Sequence, residues 1–163
     1  MTSDIKLVVL GLGNVLHSDD GVGPCAVERL RADSRVPEGV SLIEGGTLGL
    51  ELLTCIWDAT HLLVLDAVDV EQVPGTIIRI SGEELHSLPG KGSIHQLGLA
   101  DLLVALRVLA RLSPDVVLLG VQPVTTEWGT KLSACVQSAL DALVEAAIAE
   151  LCGWPQTHET TPA

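Results

Sequence analysis

Three carboxylates and one imidazole stand where an enzyme would keep reactive groups. Asp19 and Asp20 lie in Gly11-Leu-Gly-Asn-Val-Leu-His-Ser-Asp-Asp-Gly-Val-Gly23, Asp66 in His61-Leu-Leu-Val-Leu-Asp-Ala67, and His95 in Ser93-Ile-His-Gln96. Two carboxylates and one ring nitrogen form a mixed oxygen and nitrogen ligand set suited to nickel, zinc or manganese, and the two acids offset the charge of a dication. Each residue also has an ordinary reading. The acidic pair before Gly-Val-Gly reads as a solvated loop, Asp66 as a cap on the following turn, and His95 as a satisfied histidine in a first helical turn.

The elements around these residues decide whether they meet. Ile5 to Leu10 is a short run rich in branched residues, closed by Gly11-Leu-Gly13, which predicts a buried strand and a loop. Pro24, Ala26, Val27 and Leu30 predict a helix from Pro24 to Arg31. A second strand over Val40 to Ile43 ends at Gly45-Gly46, and Thr47 is placed to cap a helix bearing Leu48, Leu52, Leu53 and Ile56. His61 to Val68 reads as a third strand with Asp66 near its end, and Pro74-Gly75 leads to a fourth over Thr76 to Ile80. That interval is too short for a helical crossover, so the fourth strand is expected to run antiparallel to its neighbour. Residues 82–92 read as a loop. Ser93 and Gln96 then make a capping box at the head of a helix from Ile94 to Leu112. Asp115 to Val121 is the fifth strand, Lys131 to Leu151 the last helix, and Gly153 to Ala163 a disordered tail.

This alternation predicts an α/β fold: a three-layer α/β/α arrangement with a mostly parallel, five-stranded twisted sheet flanked by helices on both faces, formed as a single domain over residues 1–152. Ligands of such sheets bind just beyond the carboxyl ends of the strands. The Asp19-Asp20 pair follows the first strand, Asp66 ends the third and His95 opens a helix, so all of them belong to that edge. As second residue of its helix, His95 faces the positive end of the dipole, which favours the neutral ring that a metal ligand requires.

Several chemistries are excluded. Gly11-x-Gly13 fails as a dinucleotide fingerprint, because Leu16 fills the third glycine position, Asp19 and Asp20 would repel a pyrophosphate, and the helix begins too late. There is no GxSxG elbow and no HExxH helix, and Ser18 and Ser93 read as loop and cap residues. Cys25, Cys55, Cys135 and Cys152 are scattered, without metal-ligand spacing, and read as reduced thiols. A net charge of −12 speaks against nucleic acid and anionic membranes as partners. No apolar run approaches the roughly 20 residues that span a bilayer, and no secretory signal is apparent, so the expected location is the cytoplasm. Trp57 and Trp128 are assigned to core or partial-surface packing, and with no Phe or Tyr the core falls to Leu, Ile and Val.

The blocks Gly11 to Gly23, Glu44-Gly-Gly-Thr-Leu-Gly49, His61 to Ala67 and His95-Gln-Leu-Gly-Leu99, in this order and spacing, resemble the nickel-iron hydrogenase maturation endopeptidases over about Lys6 to Leu151. The resemblance implies an aspartyl-type endopeptidase that recognises nickel already seated in a hydrogenase large-subunit precursor and then removes a short C-terminal peptide. It assigns the metal contacts and catalysis to Asp20, Asp66 and His95, and substrate engagement to Gly45, Gly46 and Thr47. Many members carry Glu where this chain has Asp20. The same resemblance implies no tightly bound cofactor, the nickel being the substrate's, with other divalent cations able to occupy the site. A metal-polarised water and a carboxylate general base are both compatible with these residue types. Two other readings stay open: a hydrolase holding its own divalent metal through the same residues, and a non-catalytic chaperone that inspects nickel in the precursor.

Overall fold

The computed structural model describes residues 4–46, 49–82, 84–87, 94–110 and 113–156, with the backbone alone for 86, 87, 94–98, 100 and 110. Nearly every residue is buried in three strands, β1 (Leu7–Leu12), β3 (His61–Ala67) and β5 (Asp115–Val121). Continuous apolar runs of this kind belong to parallel strands covered on both faces. With β2 (Ser41–Gly46) and β4 (Ile77–Ser81) they form one sheet in the order β2-β1-β3-β5-β4. The β1/β2, β1/β3 and β3/β5 pairs are parallel and β4/β5 is antiparallel, as the short β3-to-β4 interval requires.

The period of two divides the strand side chains between two layers. Val9, Leu63, Leu65, Val117, Leu119 and Val121 pack against α1 (Val22–Arg31) and α4 (Ala134–Gly153). Val8, Leu10, Leu12, Leu62, Val64 and Leu118 pack against α2 (Leu53–Ile56) and α3 (Ile94–Ala105) through Ile56, Leu99 and Leu102. The three-layer α/β/α architecture expected from the sequence is therefore present. Among the described residues no helix is long and apolar enough to cross a membrane.

Several boundaries differ from the sequence reading. A 3-10 turn over Ser18–Gly21 precedes α1, which starts at Val22 rather than Pro24. The helix expected after Gly46 is reduced to a 3-10 turn at Leu50–Leu52 and the single turn of α2, neither with a side-chain cap. Thr47 and Leu48 lie outside the described residues. The expected loop over 82–92 contains a 3-10 turn at Glu84–Ser87, where the Glu84 carboxylate accepts from the Ser81 N–H and hydroxyl, each at 2.9 Å. The long third helix becomes a π-helical turn at Leu106–Ala110, and the proposed cap Ser93 lies outside the described residues. The last helix begins at Ala134 instead of Lys131, because Ser133 is tied to Asp19 by both its amide and its hydroxyl. At its other end α4 continues through Gly153. The Trp154 ring then stands 5.2 Å from that of His61, and Gln156 Nε2 donates to Leu151 O at 2.7 Å. Of the segment read as a disordered tail, 157–163 lie outside the described residues.

The glycines that imitate a nucleotide loop have a packing role. A Cβ on Gly11 would lie 2.7 Å from Gly23 O, and one on Gly23 would lie 2.2 Å from Leu12 O and 2.4 Å from Leu65 O. The first turn of α1 thus rests directly on the backbone of β1 and β3. Gly23→Ala is expected to lower unfolding stability by about 3 kcal/mol, since rigid backbone cannot yield to the added methyl. Urea denaturation checks this, and a loss below about 1 kcal/mol would contradict the close approach.

Candidate functional site

The carboxyl edge of the parallel strands is built by irregular backbone. Between Gly11 and Leu12 the β1/β2 register slips, so that Gly11 faces Glu44 while Leu12 faces Gly46. Gly45 takes up the bulge, buried where a Cβ would approach Leu10, Leu12 and Leu52 within 3 Å. Gly46 has a φ of +54°, and its carbonyl accepts from the Gly13 N–H at 2.9 Å. Of the proposed substrate-engaging segment, Gly45 and Gly46 therefore flank the end of β1, and Thr47 lies outside the described residues.

Past Gly13 the chain folds back over the sheet edge. Gly13 has a φ of +123°, and a Cβ on it would sit 1.8 Å from the Asp20 carbonyl oxygen, so only glycine admits this loop. The Asn14 N–H donates to Asp20 Oδ2 at 2.8 Å, the Asn14 side-chain oxygen accepts from the Leu16 N–H at 2.9 Å, and the Asp20 N–H bonds His17 O at 3.1 Å. Asp20 is only 7% exposed, so the solvated-loop reading of the acidic pair is overturned.

Asp66 stands near the carboxyl end of β3 and is 1% exposed. The Ala67 N–H donates to its Oδ1 at 2.8 Å. The alternation that turns Leu62 and Val64 toward α3 puts Asp66 on the same face. In register it stands opposite Gly120, one step past the Gly11/Leu65 pair. The Ser18–Gly21 turn packs against β3, which brings the Asp20 segment and the Asp66 strand to one edge. His95 is the second residue of α3, whose Leu99 and Leu102 pack in the layer that Asp66 faces. Its side chain is outside the described ones. Among the described residues no three His, Cys, Asp or Glu side chains gather as a metal site.

Asp19 behaves differently from its neighbour. Fully buried, it accepts the Val124 and Thr125 N–H groups on Oδ2 at 2.8 and 3.3 Å, the Ser133 N–H on Oδ1 at 2.6 Å, and the Ser133 hydroxyl on Oδ2 at 2.8 Å. It anchors the 124–133 segment beside the site, a role that the sequence reading missed. All four thiols are free, and burial above all pushes the Cys25 thiol up, away from nucleophilic reactivity.

Buried carboxylates at the carboxyl ends of parallel strands place the candidate site where α/β proteins of this kind bind their ligands. Comparison with known proteins makes the class specific. The model of the HycI hydrogenase maturation proteases matches residues 24–150, a span that holds Asp66 and His95 and starts just after Asp20. The chain is 36% identical over 149 residues to the hydrogenase 2 maturation protease of Escherichia coli K12, covering 90% of this chain and 91% of that protein. It is also 36% identical over 152 residues to the hydrogenase expression/formation protein HupD of Rhodobacter capsulatus, covering 91% and 72% respectively. The solved structure of the hydrogenase maturating endopeptidase HybD from E. coli superposes with a TM-score of 0.85 at 35% identity, over 91% of this chain and 93% of that one. The chain belongs to the hydrogenase maturation protease family and is a peptide hydrolase.

Proposed function

We propose that this protein removes the C-terminal extension of a nickel-iron hydrogenase large-subunit precursor once nickel has been inserted, reading the metal as the signal to cut. The observation that carries this is the pair of nearly buried carboxylates, Asp20 and Asp66, drawn from separate elements to one strand edge. Burying two acids has a cost in stability, and a dication presented by the substrate offsets it. Asp20, Asp66 and His95 contact that nickel, and Gly45, Gly46 and Thr47 engage the segment to be cut. The enzyme keeps no tightly bound metal of its own. Bond cleavage uses either a water polarised at the substrate's metal or one of the carboxylates as general base. Four free cysteines fit the reducing cytoplasm as its place of action.

Mass spectrometry of the large subunit tests the proposal. The nickel-loaded precursor is expected to lose a short C-terminal peptide on incubation with the protein, and the nickel-free precursor to keep its full mass. Equal cutting of both forms would remove the metal from the recognition step. Binding without any cutting would leave the chaperone reading in its place.

A further inference from the structure

Four apolar side chains next to the carboxylate site face solvent. Trp128 is 78% exposed, Val15 50% and Leu16 47%, with Val124 exposed beside them. They stand on two loops stitched together at several points. The Ser18 N–H donates to Gly129 O at 2.8 Å, the Gly129 N–H to Leu16 O at 2.9 Å, and the Asp19 N–H to Thr125 O at 3.2 Å. The Ser18 hydroxyl adds a bond to Glu127 O at 3.0 Å, and the His17 ring lies 4.7 Å from that of Trp128 at 33°. Gly129 permits the seam, because a Cβ there would lie 2.5 Å from Ser18 Oγ.

This lip is therefore a preorganised apolar surface, and ordering it on binding costs little further entropy. It is continuous with the site: Asn14, whose N–H holds the Asp20 carboxylate, directly precedes Val15, and Val15 Cα lies 2.9 Å from the position of a Cβ on Gly21. A protease's site receives a polypeptide, and an exposed tryptophan on a fixed platform is the kind of anchor that dominates protein–protein binding. A second copy of the chain would bring another net charge of −12 to the contact.

We propose that Trp128, with Val15 and Leu16, is a docking edge that seats an apolar patch of the precursor and positions its C-terminal segment over the carboxylates. This rests on the precursor being the substrate, and binding is therefore measured apart from cleavage. The probe is fluorescently labelled, nickel-loaded large-subunit precursor, titrated with wild type, Trp128→Ala and Trp128→Phe, and followed in parallel by steady-state processing. Trp128→Ala is expected to weaken binding about thirtyfold and to raise KM by a similar factor with kcat within about twofold, as loss of an interfacial anchor does. Trp128→Phe should restore most of the affinity. If wild type binds but does not cut, and Trp128→Ala still loses affinity, the docking edge stands while the processing reading falls. Equal affinity of Trp128→Ala and wild type would overturn the docking edge whether or not cleavage occurs. A wild-type dimer that Trp128→Ala dissociates, with precursor affinity unchanged, would reassign the lip to self-association.

Discussion

Asparagine at position 20 is expected to lower precursor processing by roughly a hundredfold to ten-thousandfold while moving the thermal midpoint by no more than about 3 °C. The two side chains are nearly isosteric, and the amide oxygen can still accept the Asn14 N–H that donates to Asp20 Oδ2 at 2.8 Å. The loop pressed against Gly13 therefore keeps its path. What disappears is the negative charge at a site that is only 7% exposed, and with it half of the carboxylate pair that would face a dication. Removing an acid from a nearly buried position does not by itself weaken the fold, so activity and stability should part company. Single-turnover processing followed by mass, with calorimetry on the same samples, checks both halves. Processing within about threefold of wild type would remove Asp20 from the reaction.

One residue earlier, the expected outcome reverses. Asp19→Ala is expected to lower stability by about 4 kcal/mol, which for a domain of this length is a fall of about 8 to 16 °C in thermal midpoint. Its carboxylate accepts three backbone N–H groups and one hydroxyl from Val124, Thr125 and Ser133, and a methyl group accepts none. Those donors converge on a fully buried carboxylate, and losing it leaves them unpaired on the side that faces the protein. Asp19→Asn should lose about half as much, because an amide can serve the Oδ2 cluster but turns its own N–H groups toward the Ser133 amide. A fall of less than about 3 °C for Asp19→Ala would mean that the 124–133 segment is held by other contacts.

Adjacent identical acids with opposite expected phenotypes show where the sequence stops being informative. The strands were legible because burial on both faces demands unbroken runs such as Leu62 to Leu65, and Asp66 was legible as the polar residue that ends such a run. The edge to which the acidic pair and Asp66 belong followed from their places at the ends of strands in an alternating α/β pattern. Nothing in Ser18-Asp-Asp-Gly21 tells the two carboxylates apart, since the difference lies in partners at Val124, Thr125 and Ser133. The same distant partnership hid the start of α4 at Ala134, where local periodicity favoured Lys131. Trp128 was assigned to core or partial-surface packing because large apolar side chains are usually covered at least in part. Its exposure depends on the seam between Gly129 and the Leu16–Ser18 turn, which no local pattern encodes. The bulge at Gly45 was likewise invisible, because a slip of register is a property of two strands and not of one.

The bonds from Asp19 to the 124–133 segment join residues 105 to 114 positions apart in the chain. The segment carrying Asp20 is therefore clamped only once Val124, Thr125 and Ser133 have come back to Asp19. Closing so long a loop is slow compared with forming a helix or a hairpin. The setting of Asp20 is thus a product of long-range closure, which the local structure of its own loop cannot supply.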